Sequence, residues 1–321
     1  KSNRRMKNKM TKCLYCYKAL NEVEQDFHTT CAKKMFGTKQ APIIDFNLKE
    51  LEDLAKQIVI KSVAVTGVQP KLSLEIEKHK NELSRLTIVD LHGNYILKPP
   101  STEYKELPQN EDVTMHLANL VKIKTAQHCL MKLASGEMAY ITKRFDRYKN
   151  EKIALEDFCQ LTENLTEHKY IGSIEKVAKT THQFTTNKGF EVLRLFELVL
   201  FCYLTGNADM HLKNFALIEN AFGEFELSPA YDLVSTALVI ADDKEESALT
   251  INGKKSRLKK KDFDALASSM NINTKVVESI YVKFERALPN WIDFIKQSFL
   301  TKSMQKNYIE LLQVKYQNLF H

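Results

Sequence analysis

A chain of 321 residues, 44% hydrophobic and 27% charged, has ordinary globular composition and is long enough for two lobes, each with its own core. It contains no run of about 18 apolar residues, which argues against a membrane span. Its basic start, KSNRRMKNKMTK, lacks the apolar centre of a secretory signal, so a cytoplasmic protein is expected. The net charge of +7 permits contact with nucleic acid or an acidic partner without requiring either, and six Cys in such a chain argue against a disulfide framework.

Cys13 and Cys16, then His28 and Cys31, form a C-x2-C and an H-x2-C pair across an eleven-residue spacer. That donor set suits a tetrahedral Cys3His zinc site stapling a unit too small for a core, although Cys is also a small buried hydrophobe. Residues 41–46 read as a linker. Residues 47–61 predict a structural helix, with Asn47 as N-cap and Leu48, Leu51, Leu54, Ala55 and Ile58 at helical spacing.

Residues 62–77 read as strand, Gly-bearing turn and strand, which offers backbone N–H groups and Lys71 to phosphates or is simply a hairpin. Residues 84–97 predict a second hairpin turning at His92-Gly93-Asn94, its last strand stopped at Lys98 by Pro99 and Pro100. Asn110-Glu111-Asp112 then opens a helix, with Glu111 either a partner for Lys98 or an acid of the first turn. Residues 138–147 form a strand running into charge, either an adenine-lining linker or an edge strand. From 153 the spacing turns mainly helical, and GFEVLRLFELVLFCYLTG is apolar enough for a buried central helix.

Residues 205–235 carry the densest chemistry. Asp209 and Asn214 stand five positions apart, and Asp232 follows two short strands joined at Gly223. In phosphoryl transfer a loop of this kind places its Asp beside an incoming hydroxyl and its Asn on magnesium, while a later Asp completes the metal site. Turn residues, a strand start at Asn214 and a helix cap at Asp232 would explain the same letters. Beyond them, Lys254, Lys255, Arg257, Lys259, Lys260 and Lys261 precede a helix that caps at Asp262. They read as a solvated helix start, or as a contact for nucleic acid or an acidic partner. The rest is helical, with Trp291 in its core.

The segments TGVQPKLSL, YILKPP, NEDVTMHLA, ITKRFDR, LEDFCQL, GNADMHLKNFAL and LSPAYDLVS, spanning about residues 62–240, resemble the HipA-type serine/threonine kinases of bacterial toxin–antitoxin modules. The resemblance implies an α+β, two-lobed protein-kinase-like fold. A small sheet-containing N-lobe is expected over 46–147 and a mostly helical C-lobe over 148–321, after a Cys-rich segment over 1–45. It implies ATP and magnesium, with Asp209 as catalytic base and Asn214 and Asp232 on the metal. His211, Leu212, Lys213 and Tyr231 would lie along the nucleotide and Lys98 on its phosphates. Lys143, Arg144 and Phe145 would meet the adenine, and Thr66, Gly67, Val68, Gln69, Pro70 and Lys71 would form the phosphate loop.

The implied partners are a protein substrate such as an aminoacyl-tRNA synthetase, a small antitoxin, and DNA only through that antitoxin. Members often autophosphorylate a Ser in the loop before the Gly. Here Ala64 stands at that place, so Thr66 or Ser62 becomes the candidate. The short Cys-rich segment stands where the usual family chain carries a further subdomain, which resembles split systems with a separate small protein. Alternatives are a non-catalytic subunit of a DNA-bound repressor complex and a small-molecule kinase.

Overall fold

The computed structural model describes residues 11–61, 70–78, 82–89, 92–148, 151–240 and 242–321. The chain divides into two units that interleave in sequence, Lys1–Pro100 with Gln127–Lys143, and Ser101–Ala126 with Arg144–His321.

The first unit has helices α1 (Thr29–Phe36) and α2 (Leu48–Lys61) and strands β1 (Leu72–Glu77), β2 (Arg85–Ile88), β3 (Tyr95–Lys98), β4 (His128–Lys132) and β5 (Met138–Lys143). The helix read over 47–61 is present. Asn47 accepts from the Glu50 N–H at 2.9 Å while Glu50 accepts from the Asn47 N–H at 2.8 Å, a reciprocal cap. The sheet runs β2-β1-β3-β5-β4, every neighbour antiparallel. Its register aligns Leu72 with Leu97, Leu97 with Ile141 and Ile141 with Cys129, and this cross-strand row is fully buried.

Two expectations fail in this sheet. Residues 84–97 are not a hairpin, because β2 and β3 pair with opposite sides of β1. The glycine that suggested a turn serves a close approach instead: a Cβ on Gly93 would sit 2.5 Å from the Leu74 carbonyl oxygen. Nor is β5 an edge strand, since it lies between β3 and β4. Outside β2, Ile43 bridges to Arg85, exchanging backbone bonds of 2.9 Å with Ser84 and Leu86. Outside β4, the Leu14 carbonyl accepts from the Leu130 N–H at 3.2 Å.

The second unit is mostly helical: α3 (Leu107–Leu120), the short α4 (Phe158–Leu161), α5 (Ile174–Phe184), α6 (Lys188–Thr205), α7 (Lys260–Ser269), α8 (Thr274–Gln297) and α9 (Lys302–Phe320). It also holds the β6 (Arg147–Tyr148) and β7 (Glu151–Lys152) pair and a three-stranded sheet of β8 (Leu155–Asp157), β9 (Ala216–Glu219) and β10 (Phe225–Leu227). The hairpin read over 215–227 is present, with Gly223 at φ 74°. Helix α6 is buried along most of its length, as its apolar run requires. Trp291 is fully buried among Phe201, Phe284 and Tyr316, and its indole N–H donates to the Leu117 carbonyl at 3.0 Å, tying α8 to α3.

Helix α3 starts earlier than read. Pro108 sits in its first turn, so Glu111 and Asp112 fall beyond that turn and are buried. Residues 155–157, read as helical, pair with β9 as a strand before Asp157 caps α4. The lysine-rich stretch starts α7 and is partnered: Lys254 pairs with Asp262, Lys255 with Glu245 and Lys260 with Asp264. No helix among the described residues is long and apolar enough to cross a membrane.

Asp262 lies in the first turn of α7, fully buried, accepting from the Lys259 N–H at 3.0 Å, Asn252 at 2.9 Å and Lys254 at 2.8 Å. Burial opposes its ionisation, but the Lys254 and Asn252 bonds, the Lys259 N–H and the Lys254 charge together hold its carboxyl below the usual range. A depressed folded value means stability gained above the unfolded value of about 3.9 and lost as pH falls through the folded one. Asp262→Asn should therefore cost about 1–3 kcal/mol at pH 7. Urea denaturation across pH should show the gap to wild type closing below about pH 4.

Candidate active site

The site is built on the segment that follows α6. The helix closes on Gly206 at φ 69°, the left-handed conformation that ends helices. The chain then crosses Asn207, whose Oδ1 accepts from the Asp209 N–H at 3.0 Å. Asp209 itself is half-buried, and its Oδ1 accepts from the Tyr170 hydroxyl at 2.7 Å. Its backbone carbonyl accepts from the His211 N–H at 2.8 Å and from the Asn214 amide nitrogen at 2.9 Å. One turn of 3₁₀ helix, Leu212–Asn214, thus folds Asn214 back onto Asp209, while buried Leu212 and Phe215 anchor it to the core.

Asp232 belongs to the same constellation. It adopts φ 58°, sterically costly for a residue with a side chain and held only where the surroundings dictate it. Those surroundings are on both sides. The Tyr231 hydroxyl donates to the Lys213 carbonyl at 2.8 Å, and its ring lies 5.6 Å from that of Phe145. Downstream, the Thr236 hydroxyl accepts from the Ala208 N–H at 2.9 Å and contacts the Gly206 carbonyl at 3.2 Å. Buried Asn110 brackets Ser235, accepting from its N–H at 3.0 Å and donating to its carbonyl at 2.9 Å. Asp232 caps no α-helix.

The charges are coupled. Burial pushes the Tyr170 hydroxyl up, and its bond to Asp209 and the charges of Asp209 and Asp232 push it further. Burial lowers His211 against the opposing pull of the same two aspartates, which favours a neutral imidazole packed edge-on to Tyr170 at 5.0 Å. Lys213 Nζ meets Asp157 Oδ2 at 2.7 Å, while Oδ1 of that carboxylate caps α4 through the Gln160 N–H.

Arg144 forms a forked pair with Asp146, at 2.9 and 2.7 Å, and Arg147 shares that carboxylate at 2.6 Å. Lys98 and Lys143 lie in the first unit. Lys98 is buried at the end of β3 with Nζ 5.4 Å from the centre of the Tyr140 ring, and Lys143 ends β5. Pro70 is half-buried and Lys71 exposed just before β1, whereas Thr66, Gly67, Val68 and Gln69, with Ser62, lie outside the described residues. Cys13, Cys16, His28 and Cys31 also lie in the first unit, their donor atoms all within 4.8 Å of one another.

Tyr170, Asp157, Asn207 and Thr236 had not been assigned roles from the sequence. The available signals were LEDFCQL, which contains Asp157, and GNADMHLKNFAL, which contains Asn207.

The sequence matches the HipA-like C-terminal domain over residues 63–292, more than half of the chain. The chain belongs to that family. It is 32% identical over 190 residues to a Haemophilus influenzae protein named "Putative kinase", a match covering 55% of this chain and 54% of that protein. It is 28% identical over 210 residues to the serine/threonine-protein kinase toxin HipA of Shewanella oneidensis, covering 59% and 47%. The chain spans about half the length of the curated relatives it matches. Its structure is similar to that of HipA in the Shewanella oneidensis complex of HipA, HipB and operator DNA, with TM-score 0.68 at 20% identity over 86% of this chain and 71% of that one. It is also similar to the Helicobacter pylori proinflammatory kinase CtkA, with TM-score 0.50 at 14% identity over 70% and 86%. The fold is kinase-like, one unit built on a sheet and the other mostly helical.

The residues present fit the magnesium that a kinase-like family implies. Asn214 commits the nitrogen end of its amide to the Asp209 carbonyl, so its oxygen end is the donor available to a cation, and Asp232 adds a carboxylate. The loop depends on Gly206. A side chain there would combine a left-handed backbone with a Cβ 2.8 Å from Leu311 Cδ2 and 3.0 Å from Ala237 Cβ. Gly206→Ala should lower stability by about 2 kcal/mol or more, measured as a reduced denaturant midpoint at unchanged m-value.

Proposed function

We propose that this chain is an ATP-dependent serine/threonine protein kinase of HipA type, transferring the terminal phosphoryl group of ATP to a protein hydroxyl and to itself. The observation that supports this best is the hydrogen bond that folds Asn214 onto the Asp209 carbonyl, with Thr236 tying the stretch after Asp232 to the stretch before Asp209 and with both aspartates half-exposed. On this reading Asp209 presents Oδ2 to the acceptor hydroxyl while Tyr170 holds Oδ1. Asp209 takes the hydroxyl proton as that oxygen bonds the terminal phosphorus and ADP departs.

Asn214 and Asp232 would hold magnesium, which supplies neutralisation of phosphate charge when bound. Lys98 would meet the phosphates, with Pro70, Lys71 and the preceding loop beside them. Lys143, Arg144 and Phe145 would line the adenine, with His211, Leu212, Lys213 and Tyr231 along the nucleotide. Tyr170 is a positioning residue, and Asp157 fixes Lys213. The family resemblance points to an aminoacyl-tRNA synthetase as acceptor, a small antitoxin as partner and DNA reached only through it, with Thr66 or Ser62 as the self-modified residue.

Incubating the purified chain with radiolabelled ATP and a bacterial lysate should label protein bands that disappear with Asp209→Asn. Loss of the proton acceptor should cost about 10²- to 10⁴-fold in rate. Equal labelling by wild type and variant, with both folded by circular dichroism, rejects the assignment. Tyr170→Phe should lower kcat roughly tenfold or more while leaving KM for ATP unchanged, because it frees the carboxylate to rotate without touching nucleotide. Steady-state kinetics with ATP varied separates the two parameters.

A further inference from the structure

We propose that Cys13, Cys16, His28 and Cys31 form a tetrahedral structural zinc site that staples the N-terminal segment of the first unit to the end of its sheet. Three observations carry it. The four donor atoms converge: Cys16 Sγ lies 3.3 Å and Cys31 Sγ 3.7 Å from His28 Nδ1, and all four fall within 4.8 Å of one another. Zn–S bonds of about 2.3 Å and Zn–N bonds of about 2.0–2.1 Å, arranged tetrahedrally, call for donors roughly 3.5–3.8 Å apart. The thiols are free, so no disulfide explains their meeting.

The second observation is the orientation of the imidazole. His28 Nε2 lies 3.0 Å from the Ala19 carbonyl oxygen, which can only accept, so the ring proton sits on Nε2 and the lone pair of Nδ1 faces the three sulfurs. A backbone carbonyl on the remote nitrogen is the usual way a zinc-bound histidine is fixed in tautomer and direction.

The third is the backbone around the first pair. The Tyr17 N–H donates to the Cys13 carbonyl at 2.9 Å, the Cys13 N–H to the Lys18 carbonyl at 2.9 Å, and Tyr17 takes φ 64°. This tight turn brings the Cys13 and Cys16 sulfurs within 4.8 Å of each other and of the His28 and Cys31 donors on the facing segment. Ordinary burial of cysteine would explain Cys13, which is fully enclosed, but not Cys16 and Cys31, which are half-exposed beside an oriented imidazole.

The site joins two pieces of the N-terminal segment, the turn over 13–20 and the start of α1, which the Ala19 carbonyl on His28 and Lys34 over the Tyr15 ring also draw together. Both reach the sheet: Leu14 bonds β4, Asp26 pairs with Lys132 on β4, and the Tyr95 hydroxyl of β3 donates to the Met35 carbonyl of α1. Metal there contributes folding free energy to the first unit and lies outside the Asp209 constellation, so it stands or falls independently of the kinase reading.

The test uses the full chain purified without chelator. Wild type should carry about one zinc per chain by plasma mass spectrometry, and exchange into cobalt(II) should give the visible bands and sulfur-to-metal charge transfer of a tetrahedral thiolate site. The double variant Cys13→Ser/Cys31→Ser should lose about tenfold or more of its metal. Because that variant can fail through misfolding, His28→Cys provides a second reading: a four-sulfur set should keep the metal and shift the cobalt spectrum. Zinc below roughly one-tenth equivalent in the wild type, with all three Cys alkylated at the rate of the unfolded chain, overturns the proposal. So does metal content unchanged in the double variant, or a cobalt spectrum unchanged by His28→Cys.

Discussion

Two short bridges inside the helical unit set the arrangement on which the candidate chemistry rests. Asn110 closes a pair of hydrogen bonds around Ser235, and Thr236 links the Gly206 carbonyl to the Ala208 N–H. Each bond is worth only about 1 kcal/mol net, but an unmet buried amide costs more than that, so the segments are locked less by attraction than by the expense of separation. The lock places the stretch before Asp209 beside the stretch after Asp232. It also sustains the left-handed backbone at Asp232, which nothing local would favour.

A second layer of restraint orients side chains within that frame. Asp209 has one carboxylate oxygen engaged by Tyr170, Asn214 is turned by the Asp209 carbonyl, and Lys213 is drawn aside by Asp157. Asp157 spends its two oxygens on different tasks, capping α4 and holding Lys213, so the three-stranded sheet, the short helix and the loop share one anchor. Such convergence is what preorganisation means physically: the reorienting is done during folding.

What could be read from the letters was whatever is decided locally. The Asn47 cap, the apolar run of α6, the Gly223 hairpin and the burial of Trp291 each follow from neighbours in sequence and were all legible. The kinase-like fold and family were legible too, because GNADMHLKNFAL and LSPAYDLVS are specific in both spacing and composition. Partners that fold together from afar were not: Tyr170 meets Asp209 across 39 positions, Asp157 meets Lys213 across 56, and Asn110 meets Ser235 across 125. The same reason explains β3, which looked like the return strand of a hairpin with β2 and instead crossed to the far side of β1. Pairing partners depend on which hydrophobic row each strand completes, and alternation within one strand cannot reveal that. Helix α3 was misplaced at its start because the acids at 111 and 112 resemble a first turn, while Pro108 had already begun it.

The five-stranded sheet is flanked on both outer sides by its own N-terminal chain, by Ile43 beside β2 and by Leu14 beside β4. Each guard is brief, a bridge or a single bond, yet an unguarded outer strand is a template on which a second polypeptide can add itself. Keeping residues 11–46 docked thus bears on whether copies of the molecule add to one another through this sheet at high concentration, a colloidal property quite separate from any chemistry it performs. An N-terminal truncation made to simplify handling would invite strand-to-strand polymerisation of copies through β4.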